Sequence, residues 1–293
     1  FLQTFDADGN PDNGIDVTAA AGKFTGAKAV DFNKAPDDFS SDPGYLQAAS
    51  DAGATLITSD QAAAHTERSF RSQLAGTWVY RDTDARLTGT FFTDGTYLMG
   101  GENNEPDCGT NLGNGVEWGN FGYDAATATI TITADGTPID TSGSCGLNDP
   151  GKAQQQFSHV AISGNTLSFT DSDGPVVLTR APDSKTGIAG SWLADQPLNG
   201  QQLTHPVVAT FFSDGAYVLN DTGFSEINQG ATPGTERGTW KIDNGVLKTT
   251  QTVDTDGASA GWSNLEAGTI LKVGADGKWH LKQPSQSDVT FTR

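Results

Sequence analysis

The segment TFFTDGTYLMG, Thr90 to Gly100, returns as TFFSDGAYVLN, Thr210 to Asn220, and a chain that repeats itself at this level must build the same unit twice. The correspondence extends outward in constant order. LAGTWVY (74–80) answers IAGSWLA (188–194), and VEWGNFGYDAATATITI (116–132) answers TERGTWKIDNGVLKTT (235–250). PIDTSG (138–143) answers TVDTDG (252–257), and VVLTR (176–180) answers VTFTR (289–293). Five matching blocks separated by loops of differing length mean an internal duplication. It divides the chain into an N-terminal segment, residues 1–69, and two copies, residues 70–182 and 183–293.

Inside each copy apolar and polar residues alternate, which places every second side chain on one face of a strand. Asp94-Gly95 and Asp214-Gly215 break that alternation, as do Asn165, Asn244-Gly245 and Asp276-Gly277. Asp-Gly and Asn-Gly favour tight hairpins with positive φ at both central residues, so each copy reads as an up-and-down meander. The 36 Gly among 293 residues agree with a turn-rich, mainly β chain. A copy of this length supplies roughly eight short strands, the number a small barrel needs, and closure removes the exposed edges of an open meander.

Each copy opens on Gly-x-Trp (Gly76-Thr77-Trp78 and Gly190-Ser191-Trp192) and ends on a strand bearing Arg180 or Arg293. This resembles the lipocalin or calycin pattern, and the resemblance implies tandem lipocalin-like antiparallel barrels in which a first-strand Trp sits at the closed end and a last-strand Arg packs across it. Independently of that family, first and last strands must pair if the sheet closes, and a guanidinium over an indole gains about 0.5–2 kcal/mol. Trp78 with Arg180 and Trp192 with Arg293 are therefore the expected clasps. In each Phe-Phe pair, Phe91-Phe92 and Phe211-Phe212, only one ring can point inward, because neighbouring residues of a strand face opposite sides.

The N-terminal segment matches neither copy. Asp42 before Pro43 and Thr58 with Gln61 mark two helix starts, the second leading into the first barrel. Ahead of them DADGNPDNGID places Asp6, Asp8, Asn10, Asp12 and Asp16 at near-alternating spacing. Two readings stand for that loop: a calcium site built from hard oxygen ligands, and an exposed turn rich in Asx residues.

A net charge of −19 with only 17 Lys and Arg disfavours nucleic acid and anionic lipid as partners. No run of apolar residues is long enough for a membrane-spanning helix. Cys108 and Cys145 are the only cysteines, and their setting favours one disulfide over a metal site. With Phe1 in first place, the chain is expected to be a processed, exported product of bacterial type, extracellular or at the cell surface, with the periplasm an alternative.

No catalytic constellation emerges. His65, His159, His205 and His280 fall in unrelated contexts, and there is no Gly-x-Ser-x-Gly elbow, phosphate-binding loop or dinucleotide fingerprint. DTSG at 140–143 is similar to the Asp-Thr-Gly of aspartic proteases, but an extra Ser interrupts it. With its partner DTDG at 254–257, it reads as a turn shared by the copies. Among the aromatics, Trp240 aligns with Phe121 and both read as core, while Trp118 and Trp262, in polar Gly-rich surroundings, are the candidate ligand contacts.

The leading expectation is a non-enzymatic exported or surface protein serving adhesion, assembly or matrix interaction, self-association included. A carrier for a small apolar ligand or glycan is the alternative. A hydrolase with a site between the barrels is the weaker third.

Overall fold

The computed structural model describes residues 59–83, 85–103, 114–133, 139–141, 146–147, 154–182, 187–194, 206–223, 232–244, 246–256, 270–274, 276–282 and 289–292. The chain divides into two units, 1–72 and 73–293, and the strands of both copies of the repeat belong to the second. Among the described residues a single helix, α1 (Ser59–Leu74), occupies the position expected from the Ala-rich run, with Glu67 and Arg71 paired at 2.5 Å one turn apart. The earlier helix start at Asp42 and the acidic loop from Asp6 to Asp16 lie outside the described residues.

The first copy contains β1 (Gly76–Arg81), β2 (Ala85–Phe91), β3 (Thr96–Asn103), β4 (Val116–Asp124), β5 (Thr129–Thr133), β6 (Ile139–Asp140), β7 (Gln154–Ser163), β8 (Thr166–Thr170) and β9 (Pro175–Arg180). All pairs are antiparallel. Sheet order runs β3-β2-β1-β9-β8-β7-β5-β4, and β3 pairs again with β4, so eight strands close into a barrel with β6 attached to β4. The second copy contains β10 (Gly190–Ala194), β11 (Val207–Phe211), β12 (Ala216–Asp221), β13 (Gly234–Asp243), β14 (Val246–Asp254), β15 (Ile270–Val273), β16 (Trp279–Lys282) and β17 (Val289–Thr292). Its order, β14-β13-β12-β11-β10-β17-β16-β15, follows the same path. Here the sheet is curled, and among the described residues no pairing joins β14 to β15.

Register shows that the copies correspond at the strand pairs they share. Gly76 faces Phe91 as Gly190 faces Phe211, and Glu117 faces Asp140 as Glu236 faces Asp254. The motif glycines have a backbone reason: Gly76 and Gly190 adopt φ of 107° and 132°, a region that L side chains avoid. The Asp-Gly hairpins differ from expectation. Only the glycines carry positive φ, 94° at Gly95 and 85° at Gly215. Gly95 N donates to the Phe92 carbonyl while Phe92 N donates to that of Thr96, and residues 212–216 repeat both bonds. This is a three-residue loop, a type I turn closed by a left-handed glycine, and the Asp94 and Asp214 carboxylates brace it by accepting from the amides of Thr96 and Ala216.

The first clasp is present. Trp78 and Arg180 are paired residues of β1 and β9, and the guanidinium carbon lies 4.1 Å from the indole centroid. Arg180 also donates to the carbonyls of Ala75 (2.7 Å) and Gln73 (2.6 Å), while Trp78 Nε1 donates to Leu74 O at 2.7 Å. One arginine thus joins the last strand, the first strand and the final turn of α1, where a cation favours the carbonyl end of the helix. In the second copy β10 pairs with β17 through Leu193 with Thr292 and Ala194 with Phe291. Trp192 Nε1 donates to Ile188 O, repeating the Trp78 bond, and Trp192 stacks on Trp279 at 4.7 Å and 9°. Arg293 lies outside the described residues.

Aromatic rings pack the interiors. Phe91 meets Phe121 edge-on at 5.3 Å, and Phe211 meets Trp240 likewise at 5.6 Å, so the aligned Phe121 and Trp240 do occupy core positions. Trp192, Phe211, Tyr217, Trp279 and Phe291 belong to one buried cluster that lines the second copy.

The second ring of each Phe-Phe pair points outward into a seam between the copies. Phe212 packs with Val79, Ala181 and Val218, and Phe92 packs against Leu98, Val116 and Val208. Polar groups fix the seam's register. Asn220, 1% exposed, donates to Thr88 Oγ1 at 2.8 Å and accepts from Thr235 Oγ1 at 3.0 Å. Its repeat equivalent is Gly100, where a Cβ would stand 2.5 Å from the Asn220 amide oxygen. Ion pairs rim the seam: Asp214 with Arg81 (2.7 Å) and Arg86 (3.2 Å), and Glu102 with Arg237 (2.5 Å).

Candidate functional site

Alternation along a strand locates the chemistry. In β12, Tyr217 and Leu219 face the interior of the second copy, so Asp221, two residues on, faces it as well. Glu236 of β13 pairs with Leu219 on one side and with Asp254 of β14 on the other. Asp256 follows two residues later. Asp221 is 6% exposed, and Glu236 and Asp256 are each 0% exposed. Four carboxyl groups therefore gather at the end of the second copy opposite the Asp214-Gly215 turn.

Their partners are unequal. The Tyr217 phenol donates to Glu236 Oε1, a bond duplicated in the first copy by Tyr97 and Glu117. Glu117 Oε2 further accepts from the Leu147 amide at 2.7 Å. Asp221 Oδ1 accepts from the Gly223 amide at 2.7 Å. For Asp256 neither oxygen meets a hydrogen-bond donor among the described residues, and the same holds for Asp254 Oδ1. Arg237, next to Glu236 in sequence, points to the other face of its strand and is engaged with Glu102.

Burial governs how these groups titrate. It pushes Asp256 up to about 9, assisted by a hydrogen bond shared with Asp254 and by the charges of Glu236, Asp254 and Asp221. That shared bond needs a proton on one of the two carboxyls, which is why both oxygens of Asp256 lack a donor when both groups are ionised. Burial lifts Asp221 to about 6 against the opposing pull of the Gly223 amide. Burial and then Glu236 raise Tyr217 far above the ordinary phenol range, so it remains a donor at all working pH. Replacing Tyr217 by Phe is expected to cost about 1–3 kcal/mol in urea unfolding, because a buried carboxyl loses its phenol donor.

Chemically, a buried acid cluster with no facing base holds a cation or takes up protons. Among the described residues no three His, Cys, Asp or Glu side chains converge closely enough to bind one metal ion.

The sequence-predicted residues distribute as follows. Trp78 and Arg180 meet, as described. Trp118, expected in polar surroundings as a ligand contact, instead packs half-buried against Leu98, Val116 and Val208 in the seam, because its position in β4 faces outward toward the second copy. Trp262, Cys108 and Cys145 lie outside the described residues, as do the calcium candidates Asp6, Asp8, Asn10, Asp12 and Asp16. The DTDG segment, read as a turn, supplies two of the four clustered carboxyls. Sequence carried one signal for the cluster: Glu117 and Glu236 occupy the same core-facing position of both copies. Asp221 and Asp256 carried none, since their counterparts are Gly101 and Ser142.

No helix among the described residues is long and apolar enough to cross a membrane. No protein-family model and no curated protein matches the sequence.

Proposed function

We propose that this chain is a non-enzymatic interaction module of an exported or cell-surface protein, in which two calycin-like barrels form a rigid platform for adhesion, assembly or matrix contact. The observation that carries this reading is the aromatic packing inside the copies. Trp192 and Trp279 stack across the second copy, and Phe91 with Phe121 and Phe157 with Phe169 pack edge-on in the first. A carrier needs an apolar pocket of about 300 Å³ or more, and in place of open space these buried rings are packed in contact with one another. The buried seam supports the same reading, since it fixes two units in one orientation and two rigidly held sites gain avidity when both engage.

Two titrations of the full chain test the proposal. A fluorescent fatty-acid analogue is expected to show no saturable one-to-one binding. Immobilised extracellular polysaccharide or collagen, or the chain itself in a sedimentation series, is expected to show concentration-dependent association. Stoichiometric, saturable uptake of the fatty-acid analogue would instead establish the carrier reading.

A further inference from the structure

The acid cluster lies where the two copies are tied together. The Thr255 hydroxyl donates to Asn114 O of the first copy at 2.7 Å, and its oxygen accepts from the Thr235 amide at 2.9 Å. Thr255 N donates to Thr235 O at 3.0 Å, and Thr232 N donates to Asp256 O at 2.8 Å. Asp256, the next residue, is thus gripped through its backbone while its carboxyl is driven into the interior with no donor to receive it. The groups that face it from the described elements are Asp254 at the end of β14, Glu236 on β13, and Asp221 and Tyr217 on β12. None of them is basic.

We propose that this cluster is a proton-operated latch: a proton retained between Asp256 and Asp254 keeps residues 254–256 seated inside the second copy, and with them the Thr255 tie to the first. Once that proton is lost, the cluster carries adjacent negative charges in a site shut off from water. Expelling Asp256 to solvent is then the cheaper state. Residues 254–256 are consecutive, so outward movement of Asp256 pulls Thr255 away from Asn114 and Thr235. The inference does not depend on the function proposed above.

The sign of the pH dependence follows from linkage. Asp256 is lifted from an ordinary carboxyl value to about 9 and Asp221 to about 6. The folded state therefore binds more protons than the unfolded chain across this range. The stability these groups contribute is full only below the ordinary carboxyl value and is lost progressively as pH rises above it, Asp221's share by about pH 6 and Asp256's by about pH 9.

The experiment uses the full chain, with the carboxyl carbons of Asp labelled for NMR and melting followed by circular dichroism. At pH 7 the Asp256 carboxyl resonance is expected in its protonated position, titrating near 9, while Tm falls steadily between pH 6 and 9. Asp256→Asn, which copies the shape of the protonated acid, is expected to flatten that fall and to melt above the unmodified chain at pH 9. An Asp256 resonance already ionised at pH 7 overturns the proposal, and that measurement decides the matter even if the variant does not fold. Calcium chloride added at pH 7 is the second arm: an unchanged Tm is expected, and a raised Tm with an ionised Asp256 resonance would make the cluster a cation site and overturn the latch.

Discussion

Trp78→Ala is expected to destabilise the first barrel by about 3–5 kcal/mol, the range for removing a large buried aromatic side chain. Trp78 is 0% exposed, its Nε1 is bonded to Leu74 O, and its ring is covered by Arg180. Truncation therefore opens a cavity at the point where β1 and β9 meet, and removes the surface on which Arg180 rests. For a body of this size the loss lowers Tm by on the order of 10 °C. Arg180→Lys separates the two contributions. It preserves the charge but forfeits the paired bonds to Ala75 and Gln73, because an ammonium lacks the planar fork. About 1 kcal/mol is expected for that change, measured by the urea midpoint. A Trp78→Ala cost equal to that of Arg180→Lys would mean that the indole is not a core element.

Val208→Asp is the second large effect. Val208 is 2% exposed and packs on Leu98 and Val116 across the seam, so the substitution buries a carboxylate among apolar side chains of the opposite copy. An uncompensated buried charge costs about 3–5 kcal/mol. That penalty falls on the association of the two copies, because Val208 faces outward from its own barrel. The unmodified pair of copies is expected to melt in one cooperative transition, and the variant in two, each belonging to one copy. A single transition displaced to lower temperature would show that Val208 supports its own barrel instead of the seam.

The ion pairs at the seam act in the opposite pH direction from the acid cluster. Burial raises Asp214, but the Arg81 bond, the Ala216 amide and the charges of Arg86 and Arg81 outweigh it, leaving this carboxyl below its ordinary value. Its contribution is present above the unfolded value and lost as pH falls through the folded one. Loss of the Asp214 contribution thus weakens the paired copies in strong acid, while Asp221 and Asp256 weaken them toward alkaline pH. Together these three groups favour a stability optimum on the acid side of neutrality, which a Tm series across pH checks.

Much of this architecture could be read from residue order. The repeat announced two equivalent units, alternation announced strands, and Trp78 with Arg180 announced closure of the first. Alternation distinguishes two faces of a strand without saying what covers the outer one, so Phe92, Phe212 and Trp118 gave no hint that they meet in a seam. The turn type was missed for a related reason, since Asp-Gly suits both two-residue hairpins and longer loops ending on a left-handed glycine. The acid cluster was hidden by abundance. With 36 Asp and Glu in the chain, only coordinates distinguish the carboxyls that leave water.

The claim on which everything else rests is that in each copy the first strand pairs with the last, closing a barrel in the first copy and curling the sheet in the second. Cross-strand backbone NOEs in the folded chain test it directly: Trp78 with Arg180 and Val79 with Thr179 in the first copy, Leu193 with Thr292 and Ala194 with Phe291 in the second. Both sets are predicted in one spectrum. Loss of either set, with the corresponding first and last strands exchanging their amides as free edges, would contradict it.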